Sequence, residues 1–299
     1  MAKFEPHEDH IRRHLEHLFG GYLDGAQHGR IEIAWTDPIG GRLNQARWFG
    51  TDELDEAAEF AVETNRQEGK NTYVGAALRK PDTAPFGRAD DEDFYCLTAF
   101  YADLDDADAV RGARERYKHC PPTAAVWTGK TPGPRQQLWW RLELPEYDPG
   151  QCRAQNRALA EILKGDTTVI NASRVMRLAG TIAWPTKPGR VKELTEFVTF
   201  NDARARVYIK EQLARAFPPR QNPVSAPEHK SNGLDLGLGV DPVLMLRAAK
   251  PGKWHNSMLA FTAHCVSTGC PDWIIIEAAR QILDDPTDPS DIVKLIETA

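Results

Sequence analysis

The chain has 299 residues, 41% of them hydrophobic and 27% charged, with a formal net charge of −6, which suits one large or two ordinary globular domains. An acidic total argues against a protein that coats nucleic acid indiscriminately, and no apolar run or signal-peptide core in MAKFEPHEDHIRRHLEHL suggests membrane insertion or secretion. The five cysteines (Cys96, Cys120, Cys152, Cys265, Cys270) form no CxxC pair and are expected to be reduced thiols of a cytoplasmic protein.

Ile11, Leu15, Leu18 and Tyr22 recur at helical spacing, which predicts an amphipathic helix over 8–24. RIEIAW (30–35) alternates as a strand does, and 52–67 predicts a helix. NTYVGAAL (71–78) and DFYCLTAFYADLD (93–105) carry the aromatic and β-branched residues of strands. A helix over 107–118, strands over 123–128 and 135–142, a helix over 150–164, a strand over 194–200 and a helix over 203–217 follow. Strands with intervening helices predict an α/β layered domain over residues 1–218. Residues 219–240 are rich in Pro, Gly, Ser and Asn and predict a linker. Beyond it, WHNSMLAFTAHCVSTG stops at Gly269 and Pro271 restarts WIIIEAARQIL, so 241–299 is expected to be a small all-α domain.

Charge is unevenly placed. Residues 51–118 hold 17 Asp/Glu against 9 Lys/Arg, and 129–192 hold 11 Lys/Arg against 5 Asp/Glu. A site that binds both divalent metals and phosphates needs both signs, although two solvated surfaces give the same count. Within LTAFYADLDD, Asp103 and Asp105 sit two apart at a strand end, so period 2 puts both carboxylates on one face. Such a pair repels itself unless a cation lies between; the plainer reading is a helix N-terminus capped by Asp106 or Asp108. Asp166 is a further acidic point, in a place where a lone Asp usually serves a turn. Arg174 and Arg177 follow it, then Lys187, Arg190 and Lys192, either phosphate-binding groups or a solvated basic face.

In RQQLWWRL (135–142), Leu138, Trp140 and Leu142 form an apolar face. Arg135, Gln137, Trp139 and Arg141 form the other, suited to a phosphate and a stacked base or to an exposed sheet surface. AAVWTGKT (124–131) imitates a phosphate-binding P-loop. Val126 and Trp127 fill its loop, however, and Pro132-Gly133-Pro134 prevents the helix that such a loop must open. His7, His10, His14 and His17 cluster on the first helix. Three of them could share a metal, but a solvated helix face is the expected reading.

Together these segments resemble the archaeo-eukaryotic primase superfamily, in its RepB-like branch of phage and plasmid primase-polymerases. KNTYVGAALRK followed by LTAFYADLDD is similar to the approach to that family's first motif. VWTGKTPGPRQQLWWRL resembles its second and GDTTVINASRVMRLAGT its third, while WHNSMLAFTAHCVSTGCPDW is similar to its C-terminal primase helical module. The resemblance implies a two-layer α/β (α+β) catalytic core with an RRM-like half. It implies Asp103, Asp105 and Asp166 as catalytic ligands of Mg²⁺ or Mn²⁺, and Thr128, Lys130, Arg135, Gln137, Arg174, Arg177 and Lys187 as nucleotide-binding residues. The implied activity is DNA primase or primase-polymerase chemistry on single-stranded DNA with nucleoside triphosphates. The chain has no helicase motifs, so a helicase partner or a longer parent chain is expected to supply that function. Gln137 stands where many members have histidine; glutamine donates a hydrogen bond but carries no charge. The competing readings are a replication initiator that only binds DNA and a metal-dependent nuclease. No tyrosine has the histidine neighbourhood that a relaxase needs.

Overall fold

The structure, a computed structural model, describes residues 4–22, 26–38, 41–83, 87–171, 174–200 and 207–220. The chain divides into two units, Met1–Val224 and Ser225–Ala299. All described residues belong to the first, and the expected linker beyond residue 220 and the expected helical domain over 241–299 lie outside them.

Helix α1 is Glu8–Phe19, followed by strands β1 (Arg30–Trp35) and β2 (Gln45–Gly50), helix α2 (Leu54–Arg66) and strands β3 (Thr72–Gly75), β4 (Leu78–Arg79) and β5 (Phe94–Leu104). Next come α3 (Ala107–Arg116), β6 (Ala124–Gly129), β7 (Arg135–Glu146) and α4 (Pro149–Leu163). Strands β8 (Val175–Arg177), β9 (Ile182–Ala183), β10 (Glu193–Leu194) and β11 (Glu196–Thr199) precede α5 (Lys210–Ala216). Nine strands form one sheet in the order β11-β6-β7-β5-β4-β1-β3-β8, with β2 also on β1. Every pairing within it is antiparallel. No described helix is long and apolar enough to cross a membrane.

Local signals place the helix ends. Asp106 accepts backbone N–H bonds from Asp108 and Ala109 at 2.8 and 3.0 Å and caps α3. Asp148 caps α4 in the same way, and Pro149 opens that helix where its missing N–H costs nothing. The capping role expected near the Asp pair therefore falls to Asp106 and leaves Asp103 and Asp105 free of it.

The central strands are covered on both faces. Trp139 packs edge-on to His14 of α1, while its neighbour Trp140, pointing the other way, packs on Phe217 and donates its indole N–H to the Cys120 carbonyl. Both indoles are fully buried. Two layers were expected, and here a helical layer lies on either side of the sheet. The expected role of Trp139 as a base-stacking surface is thereby corrected, because α1 lies over that half of the strand. Arg141 is likewise taken: it donates to the carbonyls of Glu16, His17 and Gly20 at the C-terminal end of α1, where acceptors outnumber backbone donors.

The histidine expectation is also corrected. His14 and His17 are buried, not solvated. His14 Nδ1 accepts from the Ala179 N–H at 3.3 Å and His17 Nε2 meets the Thr123 hydroxyl at 2.9 Å. Burial lowers both pKa values from 6.5 to about 3, so both rings are neutral struts between α1 and the sheet.

Candidate functional site

A cleft of about 160 Å³ opens at one end of the sheet, lined by residues from six strands and the loops around β8 and β9. It is smaller than the roughly 300–1,000 Å³ of an enclosed small-molecule site, so it suits one charged part of a larger ligand. Asp103 and Asp105 lie on one wall. Thr128, Arg135, Gln137, Arg174 and Arg177 line the rest, with Tyr73, Trp184 and Arg190.

Register explains the convergence. Asp103 sits directly opposite Gln137 across the β5–β7 pair, and Arg135 lies opposite Gly129. Arg177 lies opposite Tyr73 across β3–β8, where its guanidinium stacks 4.4 Å over the Tyr73 ring and donates to Asn71 Oδ1 at 2.6 Å. Asp166 reaches the same end from α4. The Asp166 N–H donates to the Asp103 carbonyl at 2.8 Å, and Gly165 permits that approach, since a Cβ there would stand 2.5 Å from the same oxygen.

The carboxylates feel one another. The Asp103 pKa is pushed from 3.8 to about 7 by burial and then by the charges of Asp105 and Asp166, with partial relief from the Gln137 amide and Arg174. Burial acts to raise the Asp166 pKa too, but hydrogen bonds from Thr168 and the charges of Arg174 and Lys187 outweigh it and leave the pKa below the usual value. Asp166 Oδ1 accepts from the Thr168 N–H and hydroxyl at 2.8 and 2.7 Å, so Asp166 serves the turn that follows α4. Repulsion among carboxylates that a proton now relieves is the condition a bound cation relieves better, and the donor set is the all-oxygen kind that hard divalent ions take. The donor chemistry of the three residues is therefore of the kind a divalent metal takes, although their ligand atoms do not all lie within 4.8 Å of one another.

The cationic wall is partly committed. Arg135 is buried; it donates to the carbonyls of Thr131 and Gly133 at 2.7 and 3.2 Å and pairs with Glu193 at 3.1 Å. It lines the cleft but chiefly builds the β6–β7 turn. Arg174 donates Nη2 to the Thr168 carbonyl at 2.7 Å, and its buried Nε has no partner among the described residues. Gln137 Oε1 is likewise buried and unbonded. Three expected residues stand outside the lining: Asp166, which is hydrogen-bonded to Asp103 through its backbone N–H, Lys130 and Lys187. Lys130 pairs with Glu196 at 3.0 Å, and Lys187 is exposed, acting on Asp166 through its charge.

Arg190 is an addition. Its Nη2 meets Asp105 Oδ2 at 3.2 Å across the cleft, yet in sequence it is one member of a basic run. Tyr73 carried only a strand signal and Trp184 carried none. The P-loop imitation resolves as a strand, a turn and a second strand, with no helix after the Gly-Lys-Thr.

Among the described residues, His7, Asp9 and His10 alone bring three candidate ligand atoms all within 4.8 Å of one another; the aspartate set is wider. Chemistry argues against that trio. His10 Nδ1 accepts the Phe197 N–H at 2.8 Å, so a neutral ring carries its proton on Nε2 and has no lone pair left for a metal.

The fold and cleft define a mixed α/β protein that gathers carboxylates and arginines at one end of an antiparallel sheet. No protein-family model and no curated protein matches the sequence. Among solved structures, the chain is similar to the AEP domain of the primase-polymerase of cyanophage S-2L. Identity is 20% and the TM-score 0.49, over 72% of this chain and 100% of that one. It is also similar to the primase RepB' (14% identity, TM-score 0.46, 97% of this chain and 93% of that one). The catalytic domain of RepB' in complex with initiator DNA matches at 17% identity and a TM-score of 0.43, over 70% and 92%. Similarity at these levels brings no activity with it, and the chemistry of the cleft has to carry the function.

Proposed function

We propose that the cleft is a metal-dependent nucleotidyl-transfer site and that the chain is a primase-polymerase of the archaeo-eukaryotic type, making or extending primers on single-stranded DNA. One observation carries the reading: Asp103, with its pKa raised to about 7 beside Asp105 and Asp166, faces a wall of arginines in the same cleft. A surface that only contacts DNA gains nothing from carboxylates, which repel phosphate. The sequence resemblance over residues 70–200 supports the same reading.

Asp103, Asp105 and Asp166 would hold Mg²⁺ or Mn²⁺, which when bound activates the attacking hydroxyl and neutralises charge on the leaving group. The chain's own residues do the positioning. Arg174, Arg177 and Arg190 supply forked donors to the triphosphate, and Thr128 adds a hydroxyl. Gln137 holds the Asp103 carboxylate by its amide, a task that needs no charge, so glutamine serves here where the family often has histidine. The 3′-hydroxyl of the growing chain gives up its proton to solvent, its oxygen bonds to the α-phosphorus, and pyrophosphate leaves with the electron pair of the broken P–O bond.

The test incubates the protein with a primed single-stranded template, labelled nucleotide and Mg²⁺ or Mn²⁺. Wild type is expected to extend the primer, and Asp103→Ala with Asp105→Ala to lose extension by at least about 1,000-fold while melting no lower than wild type without metal, as removal of metal-dependent electrostatic stabilisation implies. Cleavage in place of extension identifies a nuclease, and binding alone an initiator. A double variant that extends at the wild-type rate overturns the site.

A further inference from the structure

On the sheet face opposite the cleft lies a larger cavity of about 810 Å³, between α3 on one side and β6 and β11 on the other. Consecutive residues of β6 face the two spaces: Thr128 lines the cleft and Trp127 this groove. Gln136 lies directly opposite Trp127 across the β6–β7 pair, so amide and indole are neighbours on one face. Gln136 is only 5% exposed, lines the cavity, and makes no hydrogen bond through its carboxamide among the described residues. Tyr117 and Phe200 complete an aromatic wall, their rings edge to face at 6.2 Å.

Charge at the rim is positive. Arg114 on α3 and Lys118 in the turn after it are both exposed. Lys118 pairs with Glu115 and Arg111 with Asp108, whereas Arg114 has no ion pair among the described residues. Glu196, across from Trp127, is paired with Lys130.

We propose that this groove holds a short stretch of single-stranded nucleic acid, with a base stacked on Trp127 and hydrogen-bonded by Gln136 and its phosphate met by Arg114 and Lys118. An aromatic face beside a cation is what sequence-tolerant single-strand binding requires, and an amide both donates to and accepts from a base edge. A duplex keeps its bases stacked on each other and offers no face to Trp127. A nucleoside triphosphate carries several charges against one unpaired arginine, and the cleft matches it better. The groove needs neither metal nor turnover, so it stands or falls apart from the catalytic reading.

The experiment measures binding of a labelled mixed-sequence single-stranded oligonucleotide to the full chain by fluorescence anisotropy, in EDTA, at two salt concentrations. Arg114→Glu is expected to weaken binding by about 10-fold and flatten the salt dependence by about one counterion. Trp127→Ala is expected to weaken it by about 5-fold or more, the low end for one lost base stack. Arg114 is exposed, so its variant should melt with wild type and keep the measurement meaningful if Trp127→Ala fails to fold. Wild-type affinity in Arg114→Glu overturns the proposal, as do equal weakening for duplex DNA and competition by free nucleotide at comparable concentration.

Discussion

Asp103 is held in a state its surroundings resist. Its pKa rises from 3.8 to about 7 when the chain folds, so the folded protein binds that proton more tightly than the unfolded one. The sign follows: without metal, stability falls as pH rises from about 4 to about 7, and above that range the full cost of the buried charge remains. Asp103→Asn is therefore expected to match wild type near pH 4 and exceed it at pH 8 without metal by about 1–3 kcal/mol, after allowance for water at the half-buried site. Added Mn²⁺ should stabilise wild type at pH 8 and leave the variant behind. Thermal denaturation at the two pH values checks this, and equal melting at pH 8 would refute the assignment. The pair itself was legible because period 2 puts Asp103 and Asp105 on one face. What covers that face was not, since repulsion by Asp166 and contact with Arg190 depend on segments more than 60 residues away in sequence.

At the scale of elements, parity along β7 separated two faces correctly but misjudged what meets the second. The half carrying Trp139 and Arg141 is closed by α1, and only Arg135 and Gln137 reach the cleft. A strand's pattern shows which residues share a face and cannot show which helix returns to cover it. The same omission hid the burial of His14 and His17, because a helix face rich in histidine is polar by composition. Strands β2, β8 and β9 escaped notice for another reason. β8 and β9 are two or three residues long and held by cross-strand partners, Arg177 opposite Tyr73 and Ala183 opposite Glu193, while β2 is paired along its whole length to β1. The histidines give α1 a measurable signature. With folded pKa values depressed from 6.5 to about 3, the unfolded chain takes up protons that the folded chain refuses. Stability is fully present above about pH 6.5 and is lost as pH falls toward 3. His17→Gln can keep a hydrogen bond to the Thr123 hydroxyl while removing one titrating ring. The proton uptake on unfolding at pH 5, read from the pH dependence of the urea midpoint, should then drop by about one. An unchanged slope would mean that His17 is charged in the folded protein.

Across the whole molecule, the carboxylates, the arginines of the cleft and a continuous hydrophobic core all lie within residues 4–220, which on the proposed function suffices for chemistry at a preformed primer end. Initiation asks for more. Extension begins with a terminus already paired to the template, so one free nucleotide must be positioned. Priming must gather two free nucleotides and an unpaired template, and each loosely held partner adds an ordering cost of several kcal/mol. On the proposed function, a second unit tethered on the same chain would offset that cost by raising the local concentration of template or first nucleotide. A chain ending at Val224 is therefore expected to extend a primer within about 3-fold of the full-length rate and to lose at least about 100-fold in priming, the scale of avidity lost with a tethered module. The measurement compares the two proteins on primed and unprimed templates at equal concentration, after circular dichroism has shown that the shorter chain is folded. Equal priming by both would assign residues 225–299 another task, with coupling to a helicase the next to test. Loss of extension and priming together in a folded truncation would place part of the extension machinery in the second unit.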